Sequence, residues 1–173
     1  MKRVLLTGLS GTGKSTLIAA LAARGYKAVD ADCDAYSMWA EPTSDPGAVG
    51  PPVEAGRDWV WREDRIQNLL STEDTDVVFL GGCAENMGRF LPWFDHVVLL
   101  CAPAGVLVER LRTRTNNSYG KHPDEVARVL GQVETVEPLL RRAAGHEVDT
   151  SVPLAEVVAA VLRLARAPGH GVR

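Results

Sequence analysis

The sequence predicts a three-layer α/β fold, about five parallel strands with helices on both faces. Three observations carry this. Short apolar runs such as Lys2–Thr7, Val77–Leu80 and Val97–Cys101 alternate with segments whose apolar residues recur at helical spacing. The runs are apolar throughout rather than alternating, as strands covered on both sides are. Glycines and acids follow the early runs: Gly8 to Gly13, Asp30 to Asp34, and Gly81-Gly82. In a parallel sheet these turns gather beyond the carboxyl ends of the strands, where ligands bind.

Each element has its own reason. Lys2–Thr7 is a strand ended by a Gly-rich turn, and Lys14–Arg24 a helix with Leu17, Ile18 and Leu21 on one face and Gly25 as its stop. Lys27–Val29 is a second strand, running into Asp30-Ala31-Asp32-Cys33-Asp34. Glu41–Pro52 is rich in Pro and Gly and reads as a loop. Gly56–Leu70 reads as a helix through Val60, Ile66, Leu69 and Leu70. Val77–Leu80 and Val97–Cys101 are the next strands, and Pro103 opens a helix through Val106, Leu107, Arg110 and Leu111. Pro123 opens another, with Val126, Val129, Leu130 and Val133 at helical spacing. Glu147–Asp149 is the fifth strand and Pro153–Ala165 the closing helix; the residues from Pro168 onward read as a frayed end.

Composition bounds the function classes. A chain of 173 residues fits one domain, 1–173. With 46% hydrophobic and 24% charged residues it is neither disordered nor fibrous. A net charge of −3 offers no global attraction to nucleic acid. No apolar run approaches the ~18 residues of a membrane span, and Met1-Lys2-Arg3 leads into a strand rather than a signal peptide. Cys33, Cys83 and Cys101 are odd in number and include no C-x-x-C pair, which points to the reducing cytoplasm. His96, His122, His146 and His170 lack metal-ligand spacing and receive no chemistry.

Gly8-Leu9-Ser10-Gly11-Thr12-Gly13-Lys14-Ser15-Thr16 contains G-x-x-x-x-G-K-[ST], the Walker A phosphate loop, between a strand and a helix. Glycines let backbone N–H groups converge on phosphate oxygens. Lys14 supplies charge, the Ser15 hydroxyl suits Mg²⁺, and the helix turns its positive end to the anion. The sequence therefore predicts a P-loop NTPase fold. N-K-x-D, the guanine reader of switch GTPases, is missing, as is the L-S-G-G-Q of transporter ATPases. Motor and AAA-type ATPases end an acidic strand in Asp-Glu, whereas Val77–Leu80 runs into Gly81-Gly82.

On these residues the chain resembles the P-loop small-molecule and nucleoside monophosphate kinases, within them most closely the shikimate kinase-like group. Asp30-Ala31-Asp32 looks like that group's D-x-D at the end of strand two. In extended backbone the two acids would share a face, ~6.6 Å apart. The resemblance implies that Asp30 holds Mg²⁺ through water and that Asp32 orients the acceptor hydroxyl and takes its proton. Gly81-Gly82-Cys83 stands where the group has three glycines that contact substrate. Residues 110–123, with Arg110, Arg114 and Lys121, look like the mobile lid; by the resemblance Arg114 and Lys121 meet the transferring phosphate and Arg110 the nucleotide. Glu137-Pro138-Leu139-Leu140 followed by Glu147-Val148-Asp149-Thr150 resembles the group's closing motif, which would set Asp149 and Thr150 against adenine.

Residues 34–71 form the expected acceptor-binding region, with Arg57 and Trp61 as candidates. Trp59 and Trp61 could not share a face of a helix, so at most one would point at the acceptor. Tryptophan faces suit a sugar or a heterocycle. Two departures speak against shikimate itself: Val136 stands where the group carries a substrate arginine, and Arg65 where it carries Glu. Asp30-Ala31-Asp32 after Val29 also resembles dephospho-coenzyme A kinase. The expectation is ATP- and Mg²⁺-dependent phosphoryl transfer to a small-molecule hydroxyl or phosphate. The alternative is a nucleotide-dependent regulatory protein that transfers nothing.

Overall fold

The computed structural model describes residues 1–41, 56–115 and 118–168. The chain runs β1 (Lys2–Thr7), α1 (Lys14–Ala22), β2 (Lys27–Asp30), β3 (Ser37–Ala40), β4 (Asp58–Trp61), α2 (Glu63–Ser71), β5 (Val77–Gly81) and a 3-10 helix (Glu85–Trp93). It continues through β6 (His96–Cys101), α3 (Ala104–Thr113), α4 (Pro123–Thr135), α5 (Glu137–Ala143), β7 (His146–Asp149) and α6 (Leu154–Arg166). The loop expected over 41–52 falls almost wholly outside the described residues, as do Asn116-Asn117 and the chain end beyond Pro168.

Five strands form a parallel sheet in the order β2-β5-β1-β6-β7. β1 is central, with Leu5 level with Leu80 on one side and Val97 on the other. Pleating sends its residues to two cores. Val4 and Leu6 pack with Leu17, Leu21 and Val161 from α1 and α6. Leu5 packs with Ile66, Leu70, Met87, Phe90 and Leu140 on the other face. Both sides of the sheet are thus dry, as the apolar runs predict; each fully buried leucine contributes about 1.5–3 kcal/mol.

Gly25 ends α1 as expected. Its left-handed backbone (φ +84°) lets the Gly25 and Tyr26 N–H groups return to the Ala22 and Leu21 carbonyls.

The helix expected over Gly56–Leu70 requires correction. Asp58–Trp61 is instead β4, antiparallel to β3 in a two-stranded hairpin, and only Glu63–Ser71 is helical. Trp39 and Trp59 pair across it with ring centroids 4.9 Å apart. Asn86 closes the other edge of β4, accepting the Trp61 N–H at 2.8 Å and donating to its carbonyl at 3.0 Å. The helix begins where Glu63 and Asp64 supply negative charge to its first turn. Trp59 and Trp61 therefore do share a face, that of a strand.

Candidate nucleotide and acceptor site

The phosphate loop wraps the N-terminus of α1. Gly8 passes so close to β6 that a side-chain carbon there would lie 2.4 Å from the Leu100 carbonyl oxygen, and Gly11 and Gly13 take left-handed backbone (φ +90° and +94°). Thr12 pins the turn through its hydroxyl, which donates to the Leu9 carbonyl at 2.8 Å. Lys14 curls over the loop, its Nζ donating to the Gly8 carbonyl at 2.7 Å and the Leu9 carbonyl at 3.2 Å.

A cavity of about 660 Å³ opens over this loop. Ser10 through Thr16 form one part of its wall, with Asp30 and Asp32 beside them. Arg110 and Arg114 come from the end of α3, and Thr150 follows β7. Val152, Leu154 and Val157 add an apolar surface, and Thr113 and Thr115 a polar one. A space that is cationic and N–H-rich in one part and apolar in another suits a nucleoside phosphate.

Asp30 and Asp32 are both in this wall, but not through an extended backbone. The chain turns after Asp30, and the Asp32 N–H donates to Asp30 Oδ1 at 3.0 Å. Asp32 Oδ1 accepts the Cys83 N–H at 3.0 Å, and Oδ2 lies 3.6 Å from Lys14 Nζ. The Asp32 side chain keeps 28% of its surface open, yet protein atoms crowd it. That loss of solvation, with Asp30 adding its charge, pushes the carboxyl upward against the pull of Lys14 and the Cys83 N–H. The open face limits the push. Burial also drives the Cys83 thiol up to about 11, so it stays protonated.

The arginines brace the cavity. Arg110 donates to the Thr150 hydroxyl at 2.9 Å and to the Gly11 carbonyl at 3.4 Å, joining the loop after β7 to the phosphate loop. Arg114 donates to Ser10 Oγ at 3.3 Å and to the Tyr119 carbonyl at 2.6 Å.

Several expected residues lie elsewhere. Lys121 does not reach the cavity: its Nζ donates to the Arg112 carbonyl at 2.8 Å and to that of Arg114, neutralising the end of α3. Arg57 is exposed and stands over the Trp39 ring at 5.9 Å. Asp149 accepts from the Ser151 N–H and hydroxyl, a local turn outside the cavity wall. Gly81 is needed for packing, since a side-chain carbon would lie 2.7 Å from Ile18 Cγ1. Trp61 and Gly82 sit behind Asp32 rather than in the cavity wall. Sequence reasoning missed the Cys83 N–H and the Val152, Leu154 and Val157 surface. The latter had a signal, an apolar cluster directly after the fifth strand.

The residues fit a hydrated divalent cation. Ser15 and Asp30 offer a hydroxyl and a carboxylate on the same wall, few protein ligands, as for an ion held mainly by phosphate and water. Among the described residues no group of three or more His, Cys, Asp or Glu forms a cage for a metal, and no helix is long and apolar enough to cross a membrane.

Residues 4–131 match a family model described as an AAA domain. The chain belongs to the AAA domain family. The sequence differs from AAA-type ATPases in that no acid pair ends the relevant strand, which leads to the expectation of a different branch. β5 indeed ends at Gly81 without one, so membership in this family does not depend on that pair.

Among solved structures, the chain is similar to shikimate kinase from Acinetobacter baumannii in complex with shikimate, with 18% identity and a TM-score of 0.62 over 95% of this chain and 92% of that one. It is similar to a gluconokinase from Sinorhizobium meliloti, with 23% identity and a TM-score of 0.55 over 95% and 93%. A third is deoxyadenosine kinase from M. mycoides with bound dATP, with 10% identity and a TM-score of 0.54 over 95% and 100%. The fold is that of the P-loop small-molecule kinases. No curated protein sequence matches the chain.

Proposed function

We propose that the chain is an ATP-dependent phosphotransferase that moves the γ-phosphoryl group of Mg-ATP to a hydroxyl of a small molecule. The observation that carries this reading is the placement of Asp32 in the wall of the cavity, 3.6 Å from the phosphate-loop Lys14. A protein that only sensed nucleotide would have no use for a carboxylate there.

Backbone N–H groups of residues 10–16 and the Lys14 ammonium bind the phosphates, and Arg110 with Thr150 borders the base. Ser15 and Asp30 hold the magnesium ion, which when bound neutralises charge on the β- and γ-phosphates. Asp32 orients the acceptor hydroxyl and accepts its proton as the oxygen bonds to the γ-phosphorus. The bond from that phosphorus to the β–γ bridging oxygen breaks, and its electron pair leaves with ADP. Arg114 offsets charge spreading over the γ-phosphoryl oxygens.

Residues 110–123 act as the lid and 34–71 as the acceptor region of the single domain, 1–173. Three unpaired cysteines favour a cytoplasmic setting. The test is ADP release from Mg-ATP with and without a panel of sugars, polyols, nucleosides and nucleoside monophosphates. Stimulation by an acceptor that Asp32→Asn abolishes supports the reading. If no acceptor stimulates and Asp32→Asn changes nothing, the protein is the regulatory alternative.

A further inference from the structure

Arg114 stands where the chain leaves α3. Its N–H still donates to the Arg110 carbonyl at 2.9 Å, but its own φ and ψ of −60° and 144° carry the chain out of the helix. The final carbonyls of a helix have no partner within it. Lys121 supplies one, its Nζ donating to the Arg112 carbonyl at 2.8 Å and to that of Arg114. The Arg114 guanidinium is held from the same turn. It donates to the Tyr119 carbonyl at 2.6 Å and, on the cavity wall, to Ser10 Oγ at 3.3 Å.

The turn that makes these contacts is itself anchored. Glu125, in the first turn of α4, accepts the N–H groups of Gly120, Lys121 and His122 at 2.7, 3.1 and 3.2 Å. Gly120 sits on α3 with left-handed backbone (φ +89°), so close that a side-chain carbon there would lie 2.7 Å from Leu111 Cδ2. Lys121 therefore grips the backbone of Arg114 from a turn fixed to both helices. An arginine free at backbone and side chain loses conformational freedom when it meets a phosphate, and one already fixed loses less.

We infer that Lys121 is a positioning residue for Arg114. By holding the Arg112 and Arg114 carbonyls it aims the Arg114 guanidinium across the phosphate loop at the terminal phosphate of a bound nucleoside triphosphate. Lys121 itself touches no ligand. The inference deepens the phosphotransferase reading, from which it takes the role of Arg114, and its test is read on binding as well as on turnover.

Calorimetry with Mg²⁺ and either ADP or the β,γ-methylene analogue of ATP measures what the terminal phosphate adds to affinity, without turnover. Arg114→Ala is expected to lower the triphosphate-to-diphosphate affinity ratio about tenfold. Lys121→Met keeps the stem and removes the donors, and should lower the ratio by about three- to tenfold. Lys121→Arg, which can still donate to the carbonyls, should lower it by no more than about twofold. In the Arg114→Ala background Lys121→Met should leave the ratio as it is, because the residue it acts through is gone. Lys121→Gln serves where Lys121→Met does not fold. An unchanged ratio in Lys121→Met, whatever its melting temperature, confines Lys121 to capping α3 and overturns the inference. An unchanged ratio in Arg114→Ala, or equal effects of Lys121→Met with and without Arg114, overturns it too. With an active acceptor, kcat should fall with the ratio while KM for the acceptor holds. If the ratio responds as expected but no acceptor is phosphorylated, the kinase reading fails and the inference stands. If an acceptor is phosphorylated and the ratio does not respond, the inference fails alone.

Discussion

Lys14 Nζ lies 3.6 Å from Asp32 Oδ2 while donating to the Gly8 carbonyl at 2.7 Å. One ammonium group thus ties the phosphate loop to the carboxylate proposed to take the acceptor's proton. The two residues should fail differently. Lys14→Ala is expected to weaken ATP binding by about a hundredfold, since it removes a charge-assisted contact to phosphate. Asp32→Asn should bind ATP within a few-fold of the wild type and lose acceptor-dependent turnover by about 10²-fold or more. Calorimetry and ADP release separate the two; equal loss of ATP binding in both variants contradicts the assignment.

Asp32 also makes a prediction in pH. Crowding holds its carboxyl above the ordinary carboxylate range. Between the unfolded and the folded value the folded chain keeps a proton that the unfolded chain has lost. Stability therefore falls as pH rises through that window, and the deficit persists above it. Asp32→Asn removes the deficit, so its melting temperature at pH 7 should exceed that of the wild type and converge with it near pH 3. A wild type more stable than Asp32→Asn at pH 7 would mean that Lys14 outweighs the crowding.

The opposite sign holds at the far edge of the sheet. Arg141 donates to both oxygens of Glu147 on β7, at 2.9 and 2.8 Å, and to Glu137 of its own helix α5. Hydrogen bonding to Arg141, opposed by partial burial, lowers the Glu147 carboxyl to about 2. Its contribution is present above the unfolded carboxylate range and is lost as pH falls toward that value. With 40% of the side chain exposed, solvent screening limits it to about 1 kcal/mol. Glu147→Gln should lower the melting temperature by a few degrees at pH 7 and by almost nothing at pH 2.

Glycines at two positions should respond in opposite directions. Gly8→Ala sets a carbon 2.4 Å from the Leu100 carbonyl oxygen, backbone against backbone, and is expected to cost about 3 kcal/mol. Gly131 is exposed inside α4 with nothing within 4 Å of an added carbon. Gly131→Ala should stabilise by about 0.5–1 kcal/mol through helix propensity. Thermal melts of the two variants check the pair of signs.

The sheet, the phosphate loop and the acids after β2 were legible because each signal is local. An apolar run, a glycine spacing and a strand-end carboxylate are all read within ten residues. The β3–β4 hairpin was not legible for the complementary reason. Asp58-Trp59-Val60-Trp61 is short enough to merge into the helical pattern of Ile66 and Leu70. What makes it a strand is pairing with Ser37–Ala40 and capping by Asn86, both distant in sequence. Lys121 could not be placed from charge alone: a cation beside a helix end can serve that helix's carbonyls as readily as a phosphate, and here it donates to them.

The central claim is that phosphorus moves from ATP to a hydroxyl of a small molecule, and ³¹P NMR of Mg-ATP with the wild-type chain and each sugar, polyol, nucleoside and nucleoside monophosphate of the acceptor panel observes this directly. The account predicts a new phosphomonoester resonance growing in step with ADP, and its loss in Asp32→Asn. ATP turned over only to inorganic phosphate, or not at all, with every acceptor would contradict it.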